Sequence, residues 1–369
     1  MTLPPFEGVR TSSKKIVSLQ WLRFVAASMV LIYHASVYLD LIKQSSYGLE
    51  RFPTWYGSVG VSLFFALSGS LMASAMTKST APQFLLHRIG RIYPAFFLVV
   101  ALVVLASFVS PARALLDLHA MTLFPYGKTS YPLGIEWTLV FEIMFYMFVF
   151  LLILFKKTAQ ASSFLIGWLA LILVNNIVAP DNPAVNVFHP YTLPLVSLNV
   201  SFALGMLFPL VLKRVSPHPI LAALIAYAVF IAGASHSVVG VRWGMGIGSA
   251  LIVHSLTQFK GVDFLRSKAA LNYLGDKLGS YSYALYLCHV PVIKTLYELM
   301  GDRPVATQFY VVIAAAFLIS IPIGEVDVRM YRAIKGRIDR SPGSVTWTLA
   351  GLYTAAFCWF TVLAIQAPG

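Results

Sequence analysis

Charge is scarce in this 369-residue chain: 11% of the residues are Asp, Glu, Lys or Arg, and only 14 of them are acidic. Soluble domains average about 25% charge, so an ordinary soluble enzyme and a disordered tail are both excluded. Cysteine is scarcer still, with Cys288 and Cys358 alone, each in an apolar run, which excludes a disulfide-dense secreted scaffold. There is no Gly-x-x-x-x-Gly-Lys-Ser/Thr loop for nucleotide phosphates, no Cys/His cluster of zinc spacing and no internal repeat. What is abundant is apolar side chain, at 58% of residues with a mean hydropathy of +0.77. More apolar surface is present than one soluble core buries, which makes this a membrane protein.

About 20 apolar residues cross the roughly 30 Å of bilayer hydrocarbon, and eleven windows of that kind appear. They are residues 17–39, 57–77, 92–110, 134–155, 162–180, 193–212, 219–235, 242–258, 279–300, 306–327 and 344–366. None alternates with period 2, so an all-α polytopic bundle is expected rather than a lipid-facing barrel. The first window is too long for a cleavable signal and is expected to stay as a helix. The connecting segments are short, so one membrane domain is expected over 1–369. The longest, 111–133, contains Pro111, His119, Pro125 and Pro132 and is a candidate cover for a cavity mouth.

The net charge of +13 does not point to nucleic acid, because its placement follows the spans. With the N-terminus inside, 19 of the 27 Lys and Arg residues fall in inside segments and six outside, while Arg23 and Lys294 lie within spans. This is the positive-inside pattern; it predicts an external C-terminus and a basic Arg88/Arg91 segment on the cytoplasmic side.

Ionisable residues inside spans are costly and usually face a protein interior or a watery cavity. Arg23 and His34 are eleven residues apart on the first span, about 20° past three full turns, so they share one face about 16 Å apart. Glu142 in the fourth span reaches a depth comparable with His34. Two readings stay open: His34 as a general base oriented by Glu142, or a buried His–Glu contact joining two helices. His289 follows Cys288, but neighbours on a helix diverge by about 100°, so a Cys–His pair is not expected, and a packing histidine competes with a functional one. Lys294 is expected to pair with Glu298 four residues on and to snorkel outward. Arg88 and Arg91, at i and i+3 in Phe84–Pro94, can fork around phosphate oxygens or serve only as a topology signal. Gly244-x-Gly246-x-Gly248 lies inside a span and reads as a close helix contact rather than a dinucleotide loop.

Five blocks together resemble the integral-membrane acyltransferase family 3, which includes bacterial O-acetyltransferases of lipopolysaccharide, exopolysaccharide and peptidoglycan. They are Leu19–Ala27 with Tyr33-His34-Ala35, Gly60–Gly69, Arg88–Pro94, Trp137–Glu142 and Leu278–His289, spread over about 16–335. The resemblance implies ten family-type helices, to which 344–366 adds an eleventh at the C-terminal end. It implies a bacterial inner-membrane enzyme with acetyl-CoA, or another acyl-CoA, as donor from the cytoplasm. The implied acceptor is a hydroxyl of a glycan or lipid-linked saccharide, with membrane lipid around the chain and no metal. By the same resemblance, His34 is catalytic with Glu142 orienting it, and Arg23, Arg88 and Arg91 hold the donor. His289, Tyr93 and Trp137 are substrate-contacting or structural. Glu325-Val326-Asp327 departs from the family pattern by lacking its proline. A transporter of a lipid-linked saccharide or acyl group is the competing reading, since intramembrane charge also marks transport paths. The His-x-x-x-x-Asp motif of glycerolipid acyltransferases is absent, because five residues separate His34 from Asp40.

Overall fold

A computed structural model describes residues 16–108, 117–125, 127, 131–179, 189–235, 237–258 and 269–366, and the regular elements within them are helices. In chain order they are α1 (Val17–Lys43), α2 (Tyr47–Arg51), α3 (Trp55–Ala75), α4 (Ala81–Ser107), α5 (Leu118–Thr122), α6 (Glu136–Leu154) and α7 (Ala161–Val178). There follow α8 (Asn199–Val211), α9 (Pro219–Ala234), α10 (Val238–Gln258), α11 (Ala269–Leu299), α12 (Val305–Arg340) and α13 (Gly343–Gln366). Each of the eleven expected spans has a helix, and seven of them are long and apolar enough to cross a bilayer unaided. The fold is an all-α membrane bundle.

Several helix ends differ from the sequence reading, α11 starting at Ala269 and α12 running on to Arg340, and two further differences bear on the site. The window 193–212 contains an α-helix only over Asn199–Val211, 13 residues and about 20 Å long, behind a short 3₁₀ turn at Leu193–Leu195. Asn199 holds that irregular segment by donating its side-chain amide to the carbonyls of Leu193 (2.7 Å) and Val196 (3.1 Å). Trp168 Nε1 donates to the Pro194 carbonyl at 2.7 Å. Non-helical backbone is tolerated at membrane depth when protein groups satisfy it in this way. The second difference is the start of α4, at Ala81 rather than residue 92, with Pro82 in the first turn, where its missing N–H costs nothing. The Arg88/Arg91 segment is therefore helix rather than loop. His87 and Arg91 find partners on the antiparallel α12, His87 Nε2 lying 2.9 Å from Asp339 and Arg91 pairing with Asp327, and Gly90 packs against Ile334.

Glycines set the closest approaches. A Cβ on Gly69 of α3 would lie 2.3 Å from the Phe202 carbonyl oxygen of α8, and one on Gly205 would lie 2.3 Å from that of Ala66. The Gly244, Gly246 and Gly248 row packs on α9 and α8, against Val229, Val200 and Ala226, as the small-residue reading expects. α1 and α11 run parallel in a similar contact, with Gly279 against the Gln20 backbone and Gly275 against Trp21. That contact places His34 beside His289.

Candidate functional site

Arg23 from α1, Ser68 from α3, Arg88 and Arg91 from α4, Glu142 from α6 and Tyr283 from α11 line one cavity of about 220 Å³. The sequence singled out Arg23, Arg88, Arg91 and Glu142 separately, and the fold collects all four. Glu142 accepts from the Tyr146 hydroxyl one turn on and from Ser68 Oγ at 3.2 Å. Arg91 donates through Nη1 to both carboxylate oxygens of the buried Asp327, at 2.8 and 2.7 Å, and its guanidinium lies 4.8 Å from the Tyr283 ring. Arg88 is held between aromatic faces, 5.7 Å from Phe84 and 5.8 Å from Tyr146, and its buried Nε has no hydrogen-bond partner. The cavity thus gathers three guanidinium groups, and the buried Nε of Arg88 has no hydrogen-bond partner among the described residues.

The expected His34–Glu142 contact is not made. Glu142 turns to Tyr146 and Ser68, whereas His34 Nδ1 faces His289 Nε2 at 2.9 Å. The reason is the α1–α11 packing, which brings α11 rather than α6 against that face of α1. The hydrogen positions follow from the partners. His289 Nδ1 lies 2.7 Å from the Tyr286 carbonyl and 3.2 Å from that of Leu285, which only accept, so Nδ1 carries hydrogen. In the neutral ring Nε2 then accepts, so His34 Nδ1 donates to it, and also points at the Val30 carbonyl 3.1 Å away. His34 is left with its lone pair on Nε2. Sequence spacing gave His289 no such place, because the contact is between helices far apart in the chain.

A second cavity, about 450 Å³, lies further along the same helices and is lined among others by Tyr38, Val103, Pro132, Gly134, Lys294 and Ile323. Along α1 the order is Arg23 in the first cavity, then His34, then Tyr38 in the second; along α11 it is Tyr286, then His289, then Val290 to Leu296. By this order the histidine pair lies at a level between the two cavities, and neither ring lines either of them. Tyr286 lines the first cavity: its hydroxyl donates to Thr138 Oγ1 at 2.6 Å, its ring packs edge-on to Phe64, and it stands 5.7 Å from the His289 ring.

Lys294 makes no ion pair with Glu298; its ammonium lies 5.8 Å from the Tyr38 ring centroid, over the second cavity. Of the segment 111–133, Pro111 lies outside the described residues, but Tyr131 and Pro132 line that cavity. Tyr93 and Trp137 line neither cavity. Tyr93 donates to the Thr122 carbonyl at 2.5 Å and meets the Tyr353 hydroxyl of α13 at 3.1 Å, and Trp137 packs on Phe141. Ser68, Tyr146, Tyr283, Tyr286 and Asp327 were not singled out from sequence, although Tyr146 stands one turn from Glu142. Asp327 occupies the departing Glu325-Val326-Asp327 segment, where Glu325 engages Lys277 (3.2 Å) and the Tyr281 hydroxyl (2.6 Å) instead.

A family model described as an acyltransferase domain matches residues 16–325. Nodulation protein 10 of Rhizobium leguminosarum bv. viciae is 25% identical over 319 residues, covering 74% of this chain and 82% of that protein. Exopolysaccharide production protein ExoZ of Rhizobium meliloti is 28% identical over 284 residues, covering 71% of this chain and 86% of that protein. No solved structure matches.

Proposed function

The chain belongs to the acyltransferase family whose model spans residues 16–325, and from that premise we propose that it moves an acetyl group from cytoplasmic acetyl-CoA to a hydroxyl of a cell-surface glycan. The exopolysaccharide role named for the Rhizobium meliloti relative supports the acceptor class. A bacterial inner membrane is the compartment in which a cytoplasmic donor and an exported glycan adjoin. Domain organisation follows the same reading, with an acyltransferase core over about 16–335 and α13 added to it.

The observation that carries the proposal is a buried histidine pair that leaves His34 Nε2 with the lone pair, at a level along α1 and α11 between a three-arginine cavity and a second cavity. Arg88, with its unpartnered Nε, binds a donor phosphate, and Arg23 adds positive charge deeper in. A cavity of about 220 Å³ is too small for a whole nucleotide, so the adenosine lies at its mouth and the slender thioester arm enters. The thioester supplies the activated acyl carbon. His34 Nε2 removes the acceptor hydroxyl proton as the oxygen attacks that carbon; the C–S bond breaks, and the proton passes from His34 to the departing sulfur. His289 holds the tautomer that makes this possible, and Glu142 fixes Tyr146 and balances the arginine charge rather than touching His34.

The test is His34→Gln, which keeps hydrogen bonding but cannot accept a proton near neutral pH. Acetyl content of the surface glycan, normalised to folded protein in the membrane, should fall by about 10² to 10⁴. Near-normal acetylation by that variant, with an unchanged melting curve, would make His34 a packing residue and sink the reading.

A further inference from the structure

The first cavity has two chemically different ends. Arg88 stands 5.8 Å from the Tyr146 ring and Arg91 lies 4.8 Å from that of Tyr283, which makes one end cationic. Thr138 comes eight residues before Tyr146, about 12 Å back along α6, and lines the other end with Val61, Phe64 and Tyr286, four uncharged side chains. α3 runs alongside α6, with Phe65 beside Phe141 and Ser68 beside Glu142, so Phe64 lies on the Thr138 side of the Ser68–Glu142 pair. That end is firmly built. Thr138 Oγ1 donates to the Ile135 carbonyl at 2.9 Å and so accepts the Tyr286 hydroxyl, which fixes the tyrosine ring. The Phe64 ring meets it edge-on with centroids 5.7 Å apart, a contact distance that leaves no room for a methylene between the rings. Phe65, the next residue, is stacked on Phe202 at 4.0 Å and pins α3 at this level.

Charge decides which way a thioester donor lies in such a cavity: its phosphates go to the guanidinium end, and its arm runs past Ser68 and Glu142 toward the uncharged one. Resting on the proposed function, we infer that Phe64, backed by Tyr286, is the specificity-determining residue that limits the length of the acyl group, admitting a two-carbon acyl chain and rejecting a long one. The last carbon of the acyl group meets the Phe64–Tyr286 wall, and every further methylene has to displace a ring. Exceeding a filled apolar pocket by one methylene is worth about 10- to 200-fold in selectivity. Of the two rings, Tyr286 is tied to Thr138 by its hydroxyl, whereas Phe64 carries no polar tie. Shortening Phe64 therefore lengthens the cavity without unmaking a hydrogen bond.

The full chain in phosphatidylcholine nanodiscs would be titrated with acetyl-, butyryl- and hexanoyl-CoA analogues in which methylene replaces the thioester sulfur, so that nothing is transferred. The signal from empty nanodiscs is subtracted, which removes partition into lipid. The natural chain should bind the acetyl form at least about tenfold more tightly than the hexanoyl form. In Phe64→Leu the butyryl form should bind as well as the acetyl form, and in Phe64→Ala the hexanoyl-to-acetyl Kd ratio should fall about 100-fold. Where the alanine variant melts early, the leucine variant, which keeps most of the apolar volume, carries the test. Equal Kd values for the three analogues in the natural chain would overturn the inference, and so would a length preference that neither variant moves. Both results leave the donor reading standing, because CoA binding persists in them. A natural chain that binds none of the analogues would sink the donor site and this inference with it. Length-graded binding by a protein that acetylates no glycan would uphold the inference and sink only the transfer.

Discussion

Arg91 gives its Nη1 to the buried carboxylate of Asp327, whereas Arg88 keeps a buried Nε without a partner, so the two guanidiniums should answer differently to substitution. Arg88→Ala should raise KM for acyl-CoA about tenfold with a smaller change in kcat, since a charged contact to phosphate is worth about 1.5–3 kcal/mol. A KM left unchanged would return Arg88 to a topology signal. Asp327→Ala should act first on stability, because removing one partner of a buried pair leaves the other charge stranded at a cost of about 3–5 kcal/mol. Its melting curve in detergent should shift before any donor effect is seen. His289→Leu should leave the fold standing and lower kcat about 10- to 100-fold, the usual range for a residue that orients a functional histidine. A full-rate His289→Leu enzyme would show that the tautomer of His34 needs no partner. At this scale the sequence was informative about which residues are buried against expectation, since an ionisable group inside a span marks itself. It was silent about who meets whom: His34 and His289 are 255 positions apart, and no spacing rule reaches that far.

Helix existence was legible because eleven windows were long and apolar, but helix ends were not. Hydropathy stops at His87, Arg88 and Arg91, while α4 continues back to Ala81 because α12 supplies an aspartate for His87 and another for Arg91. α12 carries the same lesson: its 36 residues extend about 54 Å, far beyond a 30 Å hydrocarbon core, and its basic end projects past it. The weakest window, 193–212, lost its first turns to a buried irregular segment that only Asn199 and Trp168 could make tolerable. Close glycine contacts hold these elements together where lipid removes the hydrophobic drive for helix pairing. Gly205→Val would force its side chain into the Ala66 backbone, at 2.3 Å from the oxygen, and should cost about 1–3 kcal/mol or more. Gly351, with no atom within 4 Å, should accept valine with little change in the same melting assay.

For the molecule as a whole, the packing directions agree with the crossing count. α1 and α11, first and ninth in the series, run parallel, and α4 and α12, third and tenth, run antiparallel. From the charge split we propose that the face carrying the end of α12 is cytoplasmic. In a chain with Cys288 and Cys358 replaced by serine, a cysteine at position 335 should react with a membrane-impermeant reagent only after the cells are opened, and one at position 119 should react in intact cells. Labelling of position 335 from outside would invert the orientation and the donor side with it.

The hydroxyl of Tyr286 on Thr138, with Phe64 edge-on to its ring, forms an aromatic and polar wall of the first cavity. A cell that stores energy as an ion gradient has to keep the interior of such a bundle dry, even where polar cavities enter it. If the wall at Tyr286 keeps ions out as well as shaping the cavity, liposomes bearing Tyr286→Ala should lose a pH gradient faster than those bearing the natural chain.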